Sequence, residues 1–181
     1  MRSSNFDKYP STQIDGEAIM GWGPIVSKLQ AGWGDSPVWA IDLYVGSYEE
    51  DFVEAFAATG RKVIQTRSLM IGDEAVKELT DRFITDDVLF GYMSNIRLEE
   101  YFCQKKVEEA RSLLADGGKY VVVGTAAALV ASSAPVAYAD MARWEIQQRY
   151  RRHEVKALGV DNSAEGPSLQ YKRGYFNDWN I

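Results

Sequence analysis

Residues 119–152 read KYVVVGTAAALVASSAPVAYADMARWEIQQRYRR, and their interpretation decides the fold. From Tyr120 to Ala139 there is no charged residue; Asp140, Arg143, Glu145, Arg149, Arg151 and Arg152 then follow on one helical pattern. An uncharged run of about 20 residues is long enough to cross a bilayer. Its composition argues against that. Gly124, Thr125, Ser132, Ser133 and Pro135 interrupt it, and much of the remainder is alanine, which inserts weakly. The run reads instead as a buried strand over 120–124, a small-residue crossover over 125–131, and a second buried strand over 136–139. Strands covered on both faces are apolar throughout rather than alternating, and a crossover joins parallel neighbours.

The flanking sequence supports the same architecture. Residues 37–44 (PVWAIDLY) form an apolar run broken only by Asp42, and Gly46-Ser47 turns it into a helix with Phe52, Val53 and Phe56 inward. Residues 62–65 make a short strand, and 88–90 are another short apolar run. Further helices are expected over 16–29 (Ile19, Trp22, Ile25, Val26, Leu29), from an Asp73 cap onward (Val76, Leu79, Phe83), and over 98–115 (Cys103, Val107, Ala110, Leu114). Residues 1–15 read as a surface arm, and 157–181 as loop closed by an aromatic segment. Strands alternating with helices indicate βαβ units, so the expectation is one three-layer α/β domain over 1–181, with a mostly parallel sheet and helices on both faces.

Composition narrows the function. The formal charge of −6 disfavours nucleic acid and anionic membranes as partners. Residues 140–181 hold seven Lys and Arg against six Asp and Glu, whereas 1–139 hold thirteen against twenty. A locally basic helix on an acidic body points to a small anionic ligand or to an interface. The single Cys103 allows no intrachain disulfide, and the N-terminus lacks a secretory pattern, so the cytoplasm is expected. With His153 as the only histidine, no histidine-cluster metal site is expected. Asp86-Asp87 suits a turn better than a metal, and Cys103 reads as core rather than as a nucleophile paired with His153.

In open α/β sheets, ligands sit beyond the carboxyl ends of the strands. Asp42 and Gly46 mark one such end, but Ser47-Tyr48-Glu49-Glu50-Asp51 follows in place of the lysine and hydroxyl of a phosphate loop. Gly124 and Thr125 mark another, where either tight helix packing or an anion at a helix N-terminus fits. On the helix over 140–152, Ala142, Ile146 and Tyr150 form the core row with Met141 and Trp144 alongside. Arg143, Arg149 and Arg152 are either a solvated face, with Glu145–Arg149 paired, or a guanidinium cluster for phosphate. Lys172 and Arg173 are candidates for the same patch. No catalytic residue is assigned.

Over nearly its whole length the chain resembles the N-terminal domain that precedes the cupin in one group of bacterial mannose-6-phosphate isomerase-like proteins. The residues carrying the resemblance are Phe6-Asp7-Lys8-Tyr9-Pro10, Gly21-Trp22, Asp42-Leu43-Tyr44-Val45-Gly46 and Asp86-Asp87-Val88-Leu89-Phe90-Gly91, with Tyr138 to Gln147 strongest, then Tyr171 to Phe176 and Asp178-Trp179. That domain is similar to P-loop kinases of the uridine-kinase type without the Walker motif. The resemblance implies an accessory domain without cupin isomerase chemistry, which needs several histidines; with the basic cluster on an acidic body, the expectation is a non-catalytic or weakly catalytic domain binding a nucleotide or sugar phosphate. The alternatives are a homodimerising or cupin-docking interaction module, and a phosphotransferase with an atypical phosphate loop.

Overall fold

The computed structural model describes residues 6–7, 10–13 and 15–180; the arm expected over 1–15 lies largely outside them. Four strands build the domain: β1 (Val38–Leu43), β2 (Lys62–Gln65), β3 (Tyr120–Gly124) and β4 (Val136–Ala139). All pair in parallel, in the order β2-β3-β1-β4. The three-layer α/β expectation holds. One detail of it does not: β3 and β4 are not neighbours. The segment between them, with the one-turn helix α5 (Ala127–Val130), carries the chain across β1, which pairs with both strands.

Alternation along the strands divides the core in two. Trp39, Ile41, Leu43, Val121 and Val123 face one side, under α1 (Trp22–Trp33) and α2 (Glu49–Ala57). Ala40 and Val122 face the other, beneath α3 (Asp73–Asp81), α4 (Gln104–Leu114), α5, α6 (Arg143–Arg151) and α7 (Pro167–Phe176). β3 is buried at all five positions, as a strand covered on both faces must be. Trp39 is clamped between the Trp33 ring and the Arg61 guanidinium, which lies 3.6 Å from its centroid.

Several local expectations are corrected. The helix expected over 98–115 is a 3-10 turn, Leu98–Tyr101, followed by α4; Cys103 is a half-buried N-cap rather than core. Gly72, not Asp73, is the N-cap of α3. Residues 88–90 are exposed loop. Trp144 points outward from α6, 67% exposed, while Ile146 and Tyr150 are fully buried. The tail is loop over 157–166, as expected, but its aromatic segment is helical: Pro167 occupies the first turn of α7, a ten-residue helix. No helix among the described residues is long and apolar enough to cross a membrane.

Candidate functional site

Because every strand runs in the same direction, the loops after β1, β2 and β3 open on one rim. A cleft of about 520 Å³ lies there, within the range of small-molecule sites. Its walls are residues 43–51 after β1, Thr66 and Arg67 after β2, Thr125 after β3, the start of α3, Lys106 of α4, and residues 154–160. The N-termini of α2 and α3 both border it, and neither carries a side-chain cap.

The cleft is mixed in charge. Glu49, Glu50 and Asp51 line it from the first turn of α2, with Asp73 and Glu154, while Arg67, Lys106 and Lys156 supply cations. Lys106 donates to the Ser68 and Met70 carbonyls at 3.2 and 3.1 Å, and Lys156 pairs with Asp161 at 2.6 Å. No such bond holds the exposed Arg67 guanidinium among the described residues, so it is the cation most ready for a ligand. Glu49 has one carboxyl oxygen sealed from solvent without a donor. Burial raises its pKa, and the nearby Arg67 opposes that rise. Arg152 binds the Glu154 carboxylate and Tyr48 donates its hydroxyl to it; these bonds hold the Glu154 carboxyl down to about 2.

Gly46 and Thr125 line this cleft as their strand-end positions suggest. Gly46 has φ +85°, and a Cβ there would meet the Ile146 side chain at 3.0 Å. The Thr125 hydroxyl donates to the Leu43 carbonyl. Asp42 and Gly124 serve the scaffold instead. The Asp42 carboxylate accepts the Ala126 and Ala128 N–H groups at 3.1 and 2.8 Å, so the protein's own anion fills the helix start where an external one was an option. Burial raises the Asp42 pKa against these bonds. Gly124 leaves room for Thr66 and Glu49, whose oxygens would lie 2.2 and 3.3 Å from an added Cβ.

The basic residues do not form one phosphate patch. Arg149 is spent on the Gly46 carbonyl and on Glu145, and Arg152 on Glu145 and Glu154. Arg143 donates to the Trp179 carbonyl and lies 5.6 Å from that ring. Lys172 is buried, bonded to the Thr85 and Asp87 carbonyls. Arg173 is buried between Glu165 and Asp81. Helical spacing correctly placed Arg143 and Arg149 on α6, with Arg152 at its C-cap; it could not show that the Gly46 and Trp179 carbonyls, distant in sequence, would hold the first two. Arg67, Lys106 and Lys156 carry no motif. The strand-end rule nevertheless points to Arg67, two positions past the end of β2.

A family model described as Domain of unknown function (DUF8485) matches residues 21–181. The chain belongs to this family. No curated protein and no solved structure matches it. The DUF8485 match takes in every strand, every helix and the whole cleft, so the site described is built within the family's own domain.

Proposed function

We propose that the chain is a binding domain for a phosphorylated small molecule, a sugar phosphate or a nucleotide, taken up in the cleft beyond β1, β2 and β3. The observation that carries this reading is a strand-end cleft lined by two sets of charges, the cations Arg67, Lys106 and Lys156 and the carboxylates Glu49, Glu50, Asp51, Asp73 and Glu154. A phosphate suits the first, Arg67 above all, whose guanidinium offers planar paired donors. Sugar or ribose hydroxyls, as donors, suit the second. Phosphoryl transfer of the P-loop kind has little support, because carboxylates follow Gly46 where a lysine would be needed. An accessory role beside a mannose-6-phosphate isomerase-type cupin fits the sequence resemblance, and the cytoplasm fits the lone free Cys103.

Thermal denaturation with a panel of sugar phosphates, nucleotides and their unphosphorylated counterparts tests the proposal. Ligand at a hundred times its Kd raises stability by about 2.7 kcal/mol. A rise is expected with phosphorylated compounds only, lost in Arg67→Ala and retained in Arg143→Ala. No rise with any compound refutes the reading.

A further inference from the structure

Residues 86–92 form a loop that holds its apolar side chains outward. Val88, Leu89, Phe90 and Tyr92 are each between 68% and 86% exposed. The backbone beneath them is well fastened. Asp87 accepts the Leu89 and Phe90 N–H groups at 2.7 Å, and the buried Lys172 binds the Thr85 and Asp87 carbonyls. Gly91 packs so closely that a Cβ would lie 2.5 Å from the Phe83 carbonyl oxygen and 2.9 Å from the Phe176 ring. A buried lysine and an aspartate thus fasten four backbone groups beneath an apolar surface held in water. Exposed apolar patches of this kind mark contact surfaces.

A second patch lies on β4 and α6. Val136, Tyr138 and Trp144 are between 47% and 67% exposed. Trp144 and Arg151 are seven positions apart on α6 and share one face, with Gln147 and Gln148 between them. Beside these rings β4 is an edge strand. Its Pro135 and Ala139 carbonyls bond inward to Ala40 and Tyr44 of the neighbouring chain segment, which leaves the main-chain groups of Val136 and Tyr138 facing outward.

The two patches complement each other. The loop carries Asp86 and Asp87 beside its apolar tip, whereas Arg143 and Arg151 flank Trp144; of the carboxylates on that face, Glu145 is taken up by Arg149 and Arg152, leaving Asp140 beside Tyr138 against the two arginines. Within one chain both remain exposed, so neither covers the other. We infer that the chain self-associates, the loop over 86–92 of one copy packing on the β4–α6 face of another. Aromatic anchors at the centre and arginines at the rim are the composition of a contact hot spot. Opposite charges on the two collars fix which patch meets which.

Sedimentation of the full chain over a concentration series tests this with two variants. Leu89→Asp/Phe90→Asp spoils the loop, and Trp144→Glu spoils the opposing face; all three side chains are exposed, so unchanged melting midpoints are the expected control. The wild type should associate, and each variant alone should sediment as a monomer, its self-affinity weakened at least about tenfold. Mixing the two variants should restore association, because one copy retains an intact loop and the other an intact face. The charge-reversed pair Asp86→Lys and Arg151→Glu should repeat the pattern and recover when mixed. A wild type that stays monomeric at every concentration overturns the inference. So does association that survives either apolar variant, or a mixture that stays monomeric.

Discussion

The Arg149 Nη1 donates to the Gly46 carbonyl at 2.8 Å, and the guanidinium carbon lies 3.7 Å from the Tyr48 ring centroid. One side chain from α6 therefore fixes both the glycine turn after β1 and the aromatic residue that begins α2. Its side chain is only 12% exposed. A charged donor to a carbonyl contributes about 1.5–3 kcal/mol. Arg149→Met should lower stability by that order in denaturant unfolding. Arg149→Lys should fall between, since an ammonium keeps charge but loses the planar stack.

Gly124 has φ +125°, and any Cβ there would lie 2.2 Å from the Thr66 hydroxyl oxygen. Gly124→Ala therefore costs both backbone strain and overpacking, together about 2–4 kcal/mol. Thr66→Ala in the same chain removes the hydroxyl clash but not the strain. The double variant should recover part of the loss, and calorimetric melting of the three proteins measures it.

Asp42 stands in for an external anion at the start of α5. Asp42→Asn keeps one acceptor but turns an amide N–H toward either Ala126 or Ala128, whose own N–H groups need acceptors. The expected cost is about 1–3 kcal/mol. Hydrogen exchange should show the loss locally, as faster exchange of the Ala126 and Ala128 amides than in the parent.

Asp178 is buried, and desolvation pushes its carboxyl up to about 7, with Arg173 and the Leu158 N–H bond opposing. The folded state thus holds this proton at pH values where the unfolded chain has released it. Stability from this group is complete in acid, below the ordinary carboxylate pKa, and declines as pH rises toward about 7. Asp178→Asn should remove that decline and leave the protein more stable than the parent above neutrality. Urea unfolding between acid and neutral pH compares the two slopes.

Much of this architecture is written in local sequence. The uncharged run over 120–139 became β3, α5 and β4, and the apolar 37–44 became β1, because burial on both faces excludes charge. Strand order was not legible, since β1 pairs with β3 and β4 through contacts some eighty or more positions away in the chain. Helix α7 was hidden for another reason. Its buried row includes Gln170, Lys172 and Arg173, so apolar periodicity, the usual sign of an inward face, is missing. The same burial explains the fate of the basic cluster. Arg149 and Arg152, placed by helical spacing, were already paired by Glu145 and Glu154, and Arg173 of α7 by Glu165 and Asp81, while Arg67, outside any motif, was left for the cleft.

A crystal of the full chain soaked with the sugar phosphate or nucleotide that most raises its melting midpoint tests the central claim most directly. The account predicts phosphate density within hydrogen-bonding distance of Arg67, with the ligand's hydroxyls toward Glu49, Glu50 and Asp51. Phosphate bound instead on the outer face of α6 beside Arg143 or Arg152, with the cleft filled only by solvent, would contradict it.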